Sequence, residues 1–227
     1  MMTSLKRVLF GNLAKVRRIP LGLYRGLRMR LDLQSKCQFF VGLHEVETHA
    51  WIRRYGSVAQ AVVDVGAGEG ELVLYALKRT NAKRVYAFEP NDSERNRLDE
   101  NLALNGFEND SRSFVCKQFV GASDDSVFCS LDSLLPTLEA PALVKVDVDG
   151  AEMDVLGGSS RLIESRIATW LVETHSFDLE AECLKLFHSA GYKTQVIPNG
   201  WYRKVLPETR PIAHNRWLIA EPPRGTA

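Results

Sequence analysis

From residue 61 onward, short apolar runs alternate with segments whose apolar positions recur at helical spacing. The runs at 61–65, 84–89, 113–120, 143–147, 168–173 and 193–197 predict strands. Helices are predicted between them, at 70–79, 92–104, 151–164 and 178–190. Strands apolar on both faces and separated by helices indicate a parallel sheet with right-handed crossovers, hence a doubly wound α/β fold. A last apolar run at 217–220 predicts an antiparallel edge strand. Upstream the rhythm differs. Leu5, Leu9 and Leu13 mark a helix over 3–16 that ends near Pro20. Leu27, Met29, Leu31 and Leu33 alternate with polar residues and predict a half-buried strand, and 43–55 reads as a helix. The expected division is a basic extension over 1–57 (helix, strand, helix) and one domain over 58–227, without internal repeats.

Composition narrows the class. With 227 residues, 45% of them hydrophobic, the chain suits one well-buried domain. It has no apolar run of the roughly 20 residues a membrane span needs. Lys15, Arg17 and Arg18 interrupt the first apolar stretch, so a secretory signal is not expected. Cys37, Cys116, Cys129 and Cys183 are widely spaced, with the last three among apolar neighbours. They read as reduced thiols, which points to a cytoplasmic protein. The net charge of +1 hides an asymmetry: residues 1–30 carry eight basic side chains and no acid. Such a segment suits anionic lipid, an acidic acceptor or nucleic acid, and its composition also fits an organelle transit peptide. The plainer reading is a solvated helix packed on the domain.

The first strand of the α/β region ends at Asp64 and runs into Gly66-x-Gly68-x-Gly70 ahead of a helix. Glycines let the backbone turn sharply and approach a ligand, and the helix start presents free N–H groups beside it. A dinucleotide fingerprint needs Gly or Ala where Glu71 stands, and no P-loop Gly-Lys-Ser/Thr follows. Glu69 and Glu71 would repel a pyrophosphate; a ligand carrying an ammonium and a sulfonium suits the acidic loop better. Glu89 ends the second strand, where a carboxylate accepts hydrogen bonds from ribose hydroxyls.

The segments from Val63 to Gly70 (VDVGAGEG), Ala87 to Asn91 (AFEPN) and Asn101 to Asn105 (NLALN) resemble the opening of the FkbM family of methyltransferases. Ser130 to Leu134 (SLDSL) is similar to the family's Thr/Ser-Leu-Asp segment. Val144 to Glu152 (VKVDVDGAE) with Leu156 resembles its Lys-x-Asp-x-Glu-Gly-x-Glu-x-x-x-Leu hallmark, and Leu171 to His175 (LVETH) its Glu-x-His strand end. The likeness covers roughly residues 40–220. Asp149 stands where the family usually has Glu, and the chain is short for the group, which argues against an elaborate acceptor-binding insert. The resemblance implies the seven-stranded, Rossmann-like, mostly parallel class I fold over 58–227 and S-adenosylmethionine as donor. It usually implies an oxygen acceptor.

By the same resemblance, Asp64, Gly66, Ala67, Gly68 and Gly70 hold the methionine part of the cofactor. Glu89, Pro90 and Asn91 serve the ribose, and Gly121 and Ala122 lie near adenine. Glu45 is the acid ahead of the first strand, reaching the ammonium or else lying on a helix surface. Methyl transfer needs a positioned acceptor and a base for its proton. Asp147 and His175 end neighbouring strands and are the candidates, His175 because an ordinary imidazole titrates near pH 6.5. Glu152 lies one helical turn beyond Asp147 and fixes the loop or lines the acceptor pocket. Asp147, Asp149, Glu173 and His175 are also an alternative ligand set for Mg²⁺ or a similar hard cation. The resemblance does not require metal, and a metal-free site is expected. His44, His49, His188 and His214 read as incidental. Trp201 and Tyr202 form an aromatic wall for the acceptor or ordinary packing.

The function so implied is S-adenosylmethionine-dependent O-methylation of a small molecule, sugar or glycolipid, without nucleic acid. Anionic membrane is a further contact open to residues 1–30. N-methylation of a small amine or peptide, a non-catalytic cofactor-binding regulator, and an NAD oxidoreductase are the alternatives.

Overall fold

The structure, a computed structural model, describes residues 14–34, 36–200, 203 and 214–223. The first element is a ribbon of two short antiparallel strands, β1 (Lys15–Arg18) and β2 (Arg28–Leu31), which pair Lys15 with Leu31. Residues 15 and 16 are therefore strand, not the end of a helix, because pairing with β2 satisfies their backbone. Residues 3–13 of the expected helix lie outside the described residues. In β2 the expected alternation holds: Met29 and Leu31 are buried while Arg28 and Arg30 face outward.

Helices α1 (Cys37–Val41) and α2 (His49–Gly56) follow, with a short 3-10 turn at Val46–Thr48 between them. The expected helix over 43–55 thus forms only in its second half. Glu45 breaks it by adopting a left-handed conformation, φ 46°.

The domain's centre is a seven-stranded sheet built from β3 (Ala61–Val65), β4 (Arg84–Phe88), β5 (Ser113–Cys116), β8 (Ala142–Val146), β9 (Ala168–Thr174), β10 (Lys193–Ile197) and β11 (Arg216–Glu221). Its order is β10-β11-β9-β8-β3-β4-β5. The pairs β3/β4, β3/β8, β4/β5 and β8/β9 are parallel, and β11 is antiparallel to both neighbours. This is the mostly parallel, Rossmann-like class I fold. The run at 217–220 is antiparallel as expected, but it lies inside the sheet. Trp217, Leu218, Ile219 and Ala220 are all buried, so both faces of β11 are covered, whereas β10 alternates and takes the edge. The expected strand at 113–120 divides: a separate parallel pair, β6 (Phe119–Val120) with β7 (Phe128–Cys129), takes its second half.

Helices α3 (Glu71–Arg79) and α4 (Asp92–Leu104) cover one face together with the N-terminal ribbon. The other face is covered by α5 (Glu152–Gly157), α6 (Ser160–Ser165) and α7 (Phe177–Ser189). The single helix expected over 151–164 is two, because Gly158 packs on the β6 loop so tightly that a Cβ there would meet the Gly121 carbonyl oxygen at 1.8 Å.

Asn101 on α4 and Asn105 capping its C-terminal end, one turn apart, tie the ribbon to the domain. Each accepts a β2 backbone N–H at 3.0 Å, and Asn101 donates to the Glu69 carbonyl at 2.9 Å. Ile19, Leu23, Tyr24, Leu27 and Met29 sit in the same core as α3 and α4, so residues 19–31 are part of the packed structure. Arg30, counted among the basic residues, is paired with Glu100 at 2.6 Å. All four cysteines are free thiols, and only Cys183 is fully buried. Among the described residues no helix is long and apolar enough to cross a membrane.

Candidate active site

Strand order reverses at the β3/β8 pair: the chain moves from β3 outward to β5, then returns to β8 on the other side. The crevice beyond the carboxyl ends of β3 and β8 is where an open α/β sheet takes its ligand. The glycine turn leaves β3 there, and it is locked to β8. Asp147 N donates to the Val65 carbonyl at 2.9 Å, and Gly66 adopts φ 78° against the strand end. A Cβ at Gly66 would lie 1.9 Å from the Asp147 carbonyl oxygen, so no other residue fits. Over Gly68, by contrast, nothing lies within 4 Å of a built Cβ. Ala67 is buried, and Gly70 leads into α3 with a left-handed φ of 86°.

Glu89 ties the turn to β4. One carboxylate oxygen accepts the Gly68 N–H at 2.8 Å and the other the Asn91 N–H at 2.9 Å. Each carboxylate oxygen keeps a lone pair for a further donor. Pro90 offers its carbonyl to Arg95 at 3.2 Å, and Asn91 caps α4 by accepting from Ser93 and Glu94. Past β5, which meets Glu89 through the Cys116 carbonyl at 3.0 Å, opens a cavity of about 560 Å³. Arg95, Asp99, Val115, Cys116, Lys117 and Gln118 line it. Gly121 and Ala122, expected near adenine, are not in that lining; their loop rests on Gly158.

A buried ionic cluster sits beside the turn. Lys145, in the otherwise apolar β8, lies 3.5 Å from Glu45 and 3.3 Å from Asp147, with its ammonium over the Trp217 ring. His44 stacks on Phe39 and reaches Glu71 at 3.1 Å and Glu45 at 3.3 Å. Burial opposes both charges on this imidazole and ammonium, but the facing carboxylates win. His44 is raised to about 9 and Lys145 well above the ordinary lysine value. Burial alone would raise Glu45, but Lys145 and His44 hold it at about 2. Asp64 goes the other way: burial pushes it up to about 8. One oxygen each of Glu45 and Asp64 is buried without a hydrogen-bond partner. Glu69 pairs with Lys36 at 3.1 Å.

His44 is therefore not incidental, and Lys145 was given no role from sequence. The available signal was a lone lysine in a fully apolar strand two residues before an acid, which must find carboxylates once buried. The other histidines make structural contacts: His49 with the His44 carbonyl at 2.8 Å, His188 with Thr194, and His214 with Glu180 at 3.5 Å.

The second cluster is acidic. His175 ends β9 with its side chain only 6% exposed. Its Nδ1 meets Glu152 Oε1 at 2.5 Å, and that oxygen also accepts the Gly150 N–H at 2.9 Å. Its Nε2 lies 3.3 Å from Asp149, 3.4 Å from Glu173 and 3.8 Å from Asp147. Asp149 is presented by a left-handed backbone, φ 48°, and its side chain is 64% exposed. Burial opposes a charge on His175, yet Glu152 and Glu173 raise it to about 10. It thus does not keep the ordinary value that suggested it as a base: the surrounding carboxylates retain its proton. Burial and the Asp147 charge push Glu173 up to about 8. The structure brings Asp147, His175 and Glu152 together at the mouth of the glycine turn. Trp201 and Tyr202 lie outside the described residues.

Residues 128–194 match the methyltransferase FkbM domain. That segment, which runs from β7 into β10, is what the chain shares with the FkbM domain. Among solved structures it is similar to an FkbM methyltransferase of Methylobacillus flagellatus, with 18% identity and a TM-score of 0.57 over 87% of this chain and 56% of that one. An S-adenosylmethionine-dependent O-methyltransferase of Thermotoga maritima gives 13% identity and a TM-score of 0.52, covering 80% of this chain and 66% of that one. An rRNA methylase of Streptococcus thermophilus gives 12% and 0.50, covering 78% and 96%. At these identities the structural likenesses show the fold. The chain spans little more than half of the Methylobacillus protein. A search of curated proteins gives no match. The matched domain and the shared fold are both those of methyltransferases. The expectation that excludes nucleic acid gains no support, because the fold is shared with an RNA-modifying enzyme, and nothing in the comparisons supports membrane contact.

Proposed function

We propose that the chain transfers a methyl group from S-adenosylmethionine to a hydroxyl of a small molecule, sugar or glycolipid. The observation that carries this reading is the contact between Gly66 and the Asp147 carbonyl: the cofactor turn and the strand end bearing the candidate base abut.

The residues present suit that donor. Asp64, Gly66, Ala67, Gly68 and Gly70 take its methionine part, with open space over Gly68. The unpartnered oxygens of Glu45 and Asp64 suit an ammonium, and Glu89 with Pro90 and Asn91 takes the ribose. The adenine end is assigned to the cavity past β5, whose lining includes Cys116 and Gln118, in preference to Gly121 and Ala122. When bound, the cofactor supplies a methyl group made electrophilic by its sulfonium.

The chain's own residues position the acceptor and manage its proton. Asp147 accepts the hydroxyl proton, and Lys145, 3.3 Å away, holds that carboxylate in place. Glu152 fixes the His175 ring through Nδ1, so His175 orients the mouth and is not itself the base. Since displacement at a sulfonium methyl needs little further chemistry, most of the rate comes from this positioning.

The test is transfer of a radiolabelled methyl group to hydroxylated sugars and glycolipids, with small amines and RNA as parallel acceptors. Asp147→Asn should lower kcat about 10²- to 10⁴-fold with retained cofactor affinity. Label entering only amines or RNA, or a wild-type kcat in the variant, would overturn the reading.

A further inference from the structure

We propose that the β1–β2 ribbon and the end of α3 dock the chain on an anionic lipid surface, through Arg18, Arg25, Arg28, Lys78 and Arg79 beside Leu21. The ribbon's register supplies the first observation. Arg18 stands directly opposite Arg28, and both are exposed on the face turned away from the buried Met29 and Leu31. Like charges directly opposite each other on a strand pair cost stability. The turn that joins the strands supplies the second. Gly26 adopts a left-handed φ of 88°, and a Cβ there would lie 3.5 Å from an Arg79 guanidinium nitrogen and 3.8 Å from one of Arg18. Arg79 and Lys78 reach this turn by donating to the Arg25 and Gly26 carbonyls at 3.0 and 3.4 Å. The fold thus gathers cations from two distant segments around one glycine.

No carboxylate offsets them. Among the described residues none of the five cations is in an ion pair, and the acids on neighbouring segments are taken. Glu100 is held by Arg30 at 2.6 Å and Asp110 by Arg112 at 2.7 Å. The face is therefore complementary to phosphate groups, which guanidinium forks bind well. The apolar residues among the cations select a membrane over nucleic acid. Leu21 is 55% exposed, and Val16, two residues before Arg18 on the ribbon's outer face, is also exposed. Leu21 Cβ would lie 2.9 Å from a Cβ at Gly42, so it sits beside the exposed Val41. Such aliphatic side chains enter the boundary of headgroups and acyl chains while the cations stay with the phosphates. Single-stranded nucleic acid is held instead on exposed aromatic rings that stack with bases. Among the described residues the exposed ones, Phe114, Phe119, Phe128 and Phe177, lie on other elements. Lys78 and Arg79 end α3, away from the glycine turn at its start, so this docking does not depend on the proposed methyl transfer.

The test is co-sedimentation of the full chain with vesicles of phosphatidylcholine, alone or mixed with phosphatidylglycerol, with a single-stranded RNA as a parallel ligand. Binding to the mixed vesicles only, weakening as salt is raised, is expected. Arg18→Gln combined with Arg28→Gln should lower the partition coefficient about 30-fold, at roughly 1 kcal/mol per charge. Leu21→Ser should lower it about fivefold with every charge in place. Lys185→Gln, exposed on α7 across the sheet, should bind like wild type. The double arginine variant relieves a like-charge pair, so its thermal midpoint should equal or exceed that of wild type. No preference for anionic vesicles, full binding by the double variant or an equal loss in Lys185→Gln would each overturn the proposal. So would a double variant less stable than wild type, or binding of RNA without binding of vesicles.

Discussion

Around Lys145 the acids Glu45, Glu71 and Asp147 meet two cations, Lys145 and His44, whereas around His175 four carboxylates meet a single imidazole. The two groups share Asp147 and lie on either side of the glycine turn's contact with β8. In the first, each charge has an opposite partner, and the network is almost closed to solvent. In the second, one imidazole stands among several carboxylates, Glu173 is pushed up to about 8, and one acid opens to water. Buried charges that each face an opposite partner hold structure; strongly shifted groups at an open strand end are where chemistry is expected.

Breaking the first group should therefore cost much more than relieving the second. Lys145→Met takes the ammonium from between Glu45 and Asp147, and should destabilise the fold by about 3–5 kcal/mol in urea denaturation. Glu173→Gln puts a neutral isostere where the carboxyl is pushed up to about 8, and should leave stability unchanged or raised. If the lysine variant proves as stable as wild type, or the glutamine variant loses as much, the contrast between the groups fails.

A smaller effect should appear with pH. His44, raised to about 9 by Glu45 and Glu71, is protonated more readily in the folded chain than in the unfolded one, where it titrates near 6.5. Its stabilisation is complete below pH 6.5 and is lost as pH rises through 9, amounting to on the order of 3 kcal/mol. Asp64 adds a second slope of the same sign: its carboxyl ionises at about 8 when folded and near 4 when unfolded, so stability declines towards pH 8. In His44→Gln the loss between pH 8 and 9 should disappear while the Asp64 slope persists. An unchanged profile would mean that His44 carries no charge of consequence.

The parallel strands were legible because each is a run of apolar residues covered on both faces, from Ala61–Val65 to Ala142–Val146. The place of β11 was not, since an apolar run does not say which strands flank it. Nor was the break in 151–164, which depends on Gly158 meeting Gly121, residues far apart in the chain. The site divides in the same way. Glu89 and Asp147 directly follow the last apolar residue of a strand, and Asp64 and His175 lie within a few residues of a strand's end, so their convergence could be read from spacing. Lys145 and His44 acquire meaning only from Glu45 and Glu71, brought together by the fold. The raised pKa of His175 likewise needs Glu152, brought from the start of α5, beside Glu173 two residues before it.

The most direct measurement is calorimetric titration of S-adenosylhomocysteine into the wild-type chain and into Glu89→Gln. The account predicts one site per chain in the wild type and binding at least tenfold weaker in the variant, because Glu89 both shapes the turn through Gly68 and receives the ribose. No binding to the wild type, or equal binding to both proteins, would contradict it.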